Sequence, residues 1–167
     1  MKKEPADAVR QKIDIREIAG PDELRQGFEV LRELRIHLTL PEFNEIYEAA
    51  RAKDDYRLIG AFEGRQCVAV MGYRILFDFV HGKHVYIDDL VVTAQRRSKG
   101  IGLELLRSTE KIAEDLRCKG LRLCTGVDSK DAQRFYERNG WKARAIAYKK
   151  LVEQTQLTPQ DSVTNQK

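Results

Sequence analysis

The stretch from Val85 to Val127 constrains the fold more than any other part of the chain. It opens on an apolar run, Val85-Tyr86-Ile87-Asp88-Asp89-Leu90-Val91-Val92, interrupted only by two aspartates. A helical segment follows from Gly102 to Cys118, with Leu105, Ile112 and Leu116 on one face and Gly120 as its stop. A second strand-like run, Leu121 to Val127, closes the unit. Strand, helix and strand in that order predict one crossover, parallel and right-handed.

The flanking segments fill out a mixed α/β domain. Ile13, Ile15 and Ile18 form a short strand before Gly20, and Pro21 suits the first turn of a helix carrying Leu24, Phe28, Leu31 and Leu38. Pro41 restarts a second helix, with Phe43, Ile46, Tyr47 and Ala50 at i, i+3, i+4, i+7. Tyr56 to Phe62 and Cys67 to Phe79 read as strands joined at Glu63-Gly64, the second bent at Gly72. Asp128 or Ser129 caps a short helix with Ala132, Phe135 and Tyr136, ended by Asn139-Gly140, and Trp141 to Leu151 reads as a last strand. The expected order is β-α-α-β-β-β-α-β-α-β. Length suits one domain over 11–152, with 1–10 and 153–167 as disordered tails.

Charge and cysteine usage narrow the setting. Thirty Lys and Arg against 26 Asp and Glu leave +4, which permits a phosphate-bearing partner without demanding nucleic acid. Cys67, Cys118 and Cys124 form no CxxC pair and read as free thiols of a reducing compartment, Cys124 as a small packed strand residue. The longest uncharged stretch, Gln66 to Tyr73, is far short of the ~20 residues that span a bilayer. A soluble cytoplasmic protein with no membrane partner is expected. His37, His81 and His84 lack metal-ligand spacing and read as surface or turn residues, so no metal is expected.

Chemistry concentrates at three places. Arg97-Ser98-Lys99-Gly100-Ile101-Gly102 lies where a strand hands over to a helix. Two glycines allow close backbone approach, the helix start offers unpaired N–H groups, and Arg96, Arg97 and Lys99 add positive charge. Alone, the pattern fits a plain turn as well as a phosphate cradle. It is neither a P-loop, which needs Gly-Lys-Ser or Gly-Lys-Thr, nor a dinucleotide fingerprint, since position 105 is Leu. Asp88-Asp89 comes second. Period-2 alternation sends one carboxylate to the covered side, where desolvation would suit it to accept a proton, unless a bulge or an ion pair intervenes. Third is Phe135-Tyr136-Glu137-Arg138-Asn139-Gly140-Trp141, on its own a Gly-capped last turn with core aromatics.

Together these segments resemble the GNAT acetyltransferase superfamily. Arg97-x-x-Gly100-x-Gly102 is similar to its acetyl-CoA signature, and Phe135-Tyr136-x-x-x-Gly140-Trp141 to its Phe-Tyr-x-x-x-Gly-Phe segment. The resemblance implies a mixed, mostly antiparallel twisted sheet flanked by helices. It implies that backbone groups of Leu90, Val91 and Val92 pair with the pantetheine arm. The amides of Arg97, Ser98, Lys99, Gly100, Ile101, Gly102 and Leu103 would hold the pyrophosphate. Ser129 stands where many members carry an Asn on the cofactor arm. Tyr136 would be the general acid that protonates the departing thiolate, and Asp88, or Asp89 through water, the general base. The implied reaction is direct acetyl transfer from acetyl-CoA to a primary amine, small or on a protein, in a ternary complex. A non-catalytic acyl-CoA sensor of the same fold is the alternative, and a homodimer is compatible with either.

The acceptor pocket is expected between the helices around Leu24 to Ala50 and the turn near Asp78. Glu42, Glu45, Glu48, Asp54 and Asp55 make that region acidic, in keeping with a cationic amine or simply a solvated helix face.

Overall fold

The hairpin rhythm of the first half builds most of the sheet. In the computed structural model, which describes residues 12–151, β1 (Ile13–Glu17), β2 (Arg57–Glu63), β3 (Gln66–Asp78) and β4 (Gly82–Val92) pair antiparallel in that spatial order. A fifth strand, β5 (Leu121–Leu123), then joins β4 in parallel through the long helix α3 (Ile101–Asp115), as the crossover requires. Helices α1 (Gly20–Leu31) and α2 (Leu40–Asp54) cover one sheet face around Phe28, Phe43, Tyr47, Leu58 and Val91. On the other face α3 packs Leu105 and Leu106 against Met71, Val85 and Ile87. The last helix, α4 (Lys130–Arg138), lays Phe135 and Tyr136 on this same cluster. The proposed tail segments 1–10 and 153–167 fall outside the described residues. Among the described residues no helix is long and apolar enough to cross a membrane.

Helix boundaries follow capping chemistry. Thr39 and Glu42 form a capping box at the start of α2, each side chain bonding the other's backbone N–H, with Pro41 in the first turn. Helix α1 ends at Leu31, so Leu38 lies in the connecting turn rather than on its face. Helix α3 stops before Gly120: Arg117 adopts a left-handed φ of 56°, Cys118 N–H donates to Ala113 C=O and Arg117 N–H to Glu114 C=O. That is a Schellman closure built on arginine instead of glycine. Leu116, expected on the buried face, is 40% exposed as a result.

Two expected strands differ. The run Leu121 to Val127 pairs only through Leu123, and Trp141 to Leu151 forms no strand among the described residues. The first has a local cause. Gly72 opposes Asp89 while Tyr73 opposes Ile87, so Asp88 is an extra residue in β4. A bulge of this kind bends its strand, and β4 parts from β5 just past Ile87, leaving Cys124 onward without a ladder. With β5 only three residues long, the alternating side chains of 141–151 have little edge to pair against, and all but Trp141 are exposed.

Gly72 makes the bulge possible. The Tyr56 ring lies against it, and a Cβ built there would sit 1.7 Å from the Tyr56 hydroxyl oxygen. Gly72→Ala is therefore expected to cost about 1–3 kcal/mol by overpacking. Urea unfolding would show the midpoint falling at unchanged slope, and an unshifted midpoint would mean that Tyr56 moves aside freely.

Candidate active site

The bulge decides where both aspartates point. Before it, Val85 and Ile87 face α3; after it, Leu90 and Val92 do, while Val91 faces α1 and α2. The extra residue shifts the alternation by one, so Asp88 and Asp89 both line one cavity of ≈ 730 Å³ beneath α1 and α2. Neither is the isolated buried carboxylate that simple alternation anticipates. Arg74 grips Asp88 with Nε on Oδ2 at 2.9 Å and Nη2 on Oδ1 at 2.6 Å. Arg35, from the turn after α1, puts Nε and Nη2 on Asp89 Oδ1 at 2.9 and 2.6 Å. Asp89 Oδ2 receives only the Tyr56 hydroxyl, at 3.4 Å. That phenol is pushed up by its burial, then by the charges of Asp89 and Asp88, so it stays a donor.

The parting of β4 from β5 frees main chain. Thr93 N–H donates to Val68 C=O, and ladder alternation turns Val91 toward β3 as well. Leu90 and Val92, and not Val91, therefore turn their N–H and C=O groups to the open side. One of these is occupied, because Arg97 Nε donates to Val92 C=O at 3.0 Å.

The loop beyond carries a second set of free donors. Ser98 and Gly100 both have positive φ, 61° and 86°, and Gly100 is the N-cap of α3. The first main-chain bond into this turn is Glu104 N–H to Gly100 C=O, and no side chain caps the helix. The N–H groups of Ile101, Gly102 and Leu103 are thus without helical partners at the positive end of the dipole. Gly102 lies close to its neighbours, its would-be Cβ 3.6 Å from Val92 Cγ2 and 3.3 Å from Phe135 Cζ. The α3 start and the open β4 edge are therefore adjacent.

The basic cluster is used differently from expectation. Arg96 binds Glu63 at 2.7 Å, and Arg97 binds Glu33 at 3.0 Å, so both guanidiniums act as struts. Lys99 alone of the three has no ion-pair partner among the described residues. Glu33, which the sequence reading missed, also accepts from the Thr93 hydroxyl at 2.6 Å and from Ala94 N–H at 2.9 Å. Nothing in its spacing marks it, since its partners lie some sixty residues away.

Tyr136 sits on the α3 face, away from the aspartates' cavity. Gly140, at φ 86°, closes α4 with Trp141 N–H on Tyr136 C=O, folding the indole back to 5.9 Å from the Tyr136 ring. Burial pushes the Tyr136 phenol up. Ser129 is the exposed N-cap of α4, and its side chain makes no capping bond.

Three other sequence readings change. His84 is buried, not a surface residue, with Nδ1 2.9 Å from Gly82 C=O. Asp78 does not line the cavity; the His81 N–H is foremost in holding its carboxyl down at about 2. Cys124 is exposed and lies past the end of β5, whereas Cys67 is buried, which pushes its thiol up to about 11.

Over residues 22–141 the chain matches the acetyltransferase (GNAT) family, to which it therefore belongs. It is 29% identical over 141 residues to the uncharacterized N-acetyltransferase YhdJ of Bacillus subtilis strain 168, covering 84% of this chain and 99% of that one. The fold is shared with a transcriptional regulator from Bacillus halodurans C-125 (TM-score 0.74, 23% identity, covering 84% of this chain and all of that one). It is shared also with glucosamine-6-phosphate N-acetyltransferase from Arabidopsis thaliana (TM-score 0.67, 25% identity, 85% and 99% covered).

The Glu33 strut can be tested without any ligand. Glu33→Ala removes a charged acceptor from Ala94 N–H, and hydrogen exchange at that amide should accelerate about tenfold or more. Unchanged exchange would show that the loop is held by other contacts.

Proposed function

We propose that the protein is an N-acetyltransferase that moves the acetyl group of acetyl-CoA to a primary amine in a ternary complex. The observation that carries this reading is the meeting of two sets of unspent main-chain groups. The uncapped N–H row of Ile101, Gly102 and Leu103 stands beside the open edge at Leu90 and Val92. An anion such as a diphosphate fits the first set, and an extended amide-bearing arm fits the second, as an added strand would. Gly100 has open space where its Cβ would be, and Lys99, without an ion-pair partner among the described residues, supplies a positive charge beside it. Acetyl-CoA, when bound, supplies the activated acyl group.

On this reading the protein's own groups divide the proton work. An amine of pKa about 10 arrives protonated and must lose a proton before attack. Asp89, directly or through water, takes that proton. Its Oδ2 accepts only the Tyr56 hydroxyl, at 3.4 Å, whereas both oxygens of Asp88 are committed to Arg74. Tyr136 donates a proton to the leaving thiolate, and burial, by raising its pKa, keeps it protonated across neutral pH. Ser129 remains a candidate contact for the cofactor arm. A non-catalytic acyl-CoA-binding module draws support from the arginine pairing of both aspartates, and thiol release over an amine panel separates the two.

Tyr136→Phe should lower kcat about 10²-fold with CoA affinity retained. The wild-type fall in kcat at high pH should lie above the ordinary phenol value of about 10, and vanish in this variant. Asp89→Asn should abolish the fall in rate at low pH, and Asp88→Asn should leave that limb in place; the reverse would exchange their roles. Gly100→Val places a branched side chain in front of the N–H row at a left-handed φ, so calorimetry should detect no CoA binding. Wild-type affinity would put the cofactor elsewhere.

A further inference from the structure

Of the acidic residues on and just after α2, only Glu42 and Asp54 line the cavity that holds Asp88 and Asp89. Glu45 and Glu48 lie off it, and Asp55 turns to Arg57 at 3.2 Å. Glu42, Asp54, Asp88 and Asp89 thus face two guanidiniums, Arg35 and Arg74. With the His37 imidazole neutral, the lining holds more negative charge than positive, and it favours a cationic ligand.

The excess is not spread evenly. Arg74 grips both oxygens of Asp88, and Arg35 grips Oδ1 of Asp89. Glu42 spends Oε2 on the Thr39 cap and compensates the positive end of the α2 dipole, with Oε1 left open. Asp54 accepts no hydrogen bond among the described residues, and Arg74 Nη1 approaches it only to 3.7 Å. It is the last residue of α2, where the helix carbonyls add negative partial charge instead of cancelling it. Arg51 and Lys53, the basic residues of that turn, line no part of the cavity. A cation supplied by a ligand would meet both the Asp54 carboxylate and the negative end of the helix.

The path from Asp89 to Asp54 is apolar. The Tyr56 hydroxyl touches Asp89 Oδ2, and its ring meets Tyr47 edge-on at 6.2 Å. Tyr47, Ala50 and Asp54 follow at i, i+3 and i+7 on one face of α2, so ring, methyl and carboxylate succeed one another over ~10 Å of helix. The path is also short. One guanidinium, that of Arg74, binds Asp88 at 2.6 Å and approaches Asp54, which puts the two ends within the span of a few methylene groups.

We infer that the acceptor is a linear amine with two cationic ends: the reacting amine on Asp89 Oδ2, a second ammonium on Asp54, and the hydrocarbon spacer against Tyr47 and Ala50. Glu42 Oε1, ~18 Å along α2 from Asp54, leaves an acceptor for a further polar group on a longer molecule. The fate of the amine rests on the acetyl-transfer reading; its binding does not. The discriminating experiment is calorimetry on the full chain, with and without CoA, using 1,4-diaminobutane, butylamine and 4-aminobutanoate. These share a chain length and differ at the far end, which is an ammonium, a methyl or a carboxylate. The diamine should bind about tenfold more tightly than butylamine, the combined effect of a surface ion pair and a helix-terminus charge, and the carboxylate should bind most weakly. Asp54 is half exposed, so Asp54→Asn should fold; it should bring the diamine to the affinity of butylamine and leave butylamine unchanged, and Asp54→Ala should do the same. Equal binding of diamine and butylamine overturns the inference, as does tighter binding of 4-aminobutanoate, a diamine preference that survives both substitutions, or binding of none of the three. Acetylation of butylamine in preference to the diamine would overturn it and leave the acetyltransferase standing. A diamine preference that depends on Asp54, with no thiol released by any amine, would do the opposite.

Discussion

One extra residue in β4 organises the molecule. Asp88 has no counterpart on β3, because Gly72 and Tyr73 oppose Asp89 and Ile87. The inserted residue shifts the side-chain alternation, bends the strand and ends its pairing with β5. From this single irregularity come the two carboxylates on one face, the opened main-chain edge, and the brevity of β5. It persists because Gly72 has no side chain where the Tyr56 hydroxyl lies. Any residue larger than glycine there would have to displace a half-buried tyrosine whose hydroxyl contacts the site.

Around this irregularity, arginines serve as long-range struts. Arg35, Arg74, Arg96 and Arg97 each bind a carboxylate from another element, respectively Asp89, Asp88, Glu63 and Glu33. Partly exposed pairs of this kind add little stability individually. Their planar, multi-donor geometry instead fixes orientation. The turn after α1 is held at both ends of the site: Glu33 grips the loop that leads to α3, and Arg35 grips Asp89. The acceptor-side turn and the cofactor-side loop thus belong to one hydrogen-bonded frame.

Much of the fold was legible because its signals are local. Proline starts and the Thr39–Glu42 box mark α2, Gly140 marks the end of α4, and hairpin turns mark the antiparallel strands. The Gly100-x-Gly102 turn was legible as a backbone feature, and the structure shows it as an uncapped helix start. Three boundaries misled for non-local reasons. Arg117 occupies the left-handed position that glycine usually marks. Strand β5 ends where its neighbour departs, although its own residues continue the strand pattern. Trp141 to Leu151 carries alternation without a ladder partner, and alternation alone makes no strand.

The amino-acid order by itself determined most of the element types, the parallel crossover, and the residue kinds that chemistry needs: a carboxylate pair, a glycine turn and a phenol. These depend on periodicity, capping and backbone freedom, which act over a few residues. Only the tertiary structure decided that both aspartates share a cavity, that each meets an arginine, and that Arg96 and Arg97 are struts while Lys99 has no ion-pair partner among the described residues. Those outcomes turn on contacts spanning up to sixty-four residues. A one-residue register shift reverses every side chain after it, and no local pattern records such a shift.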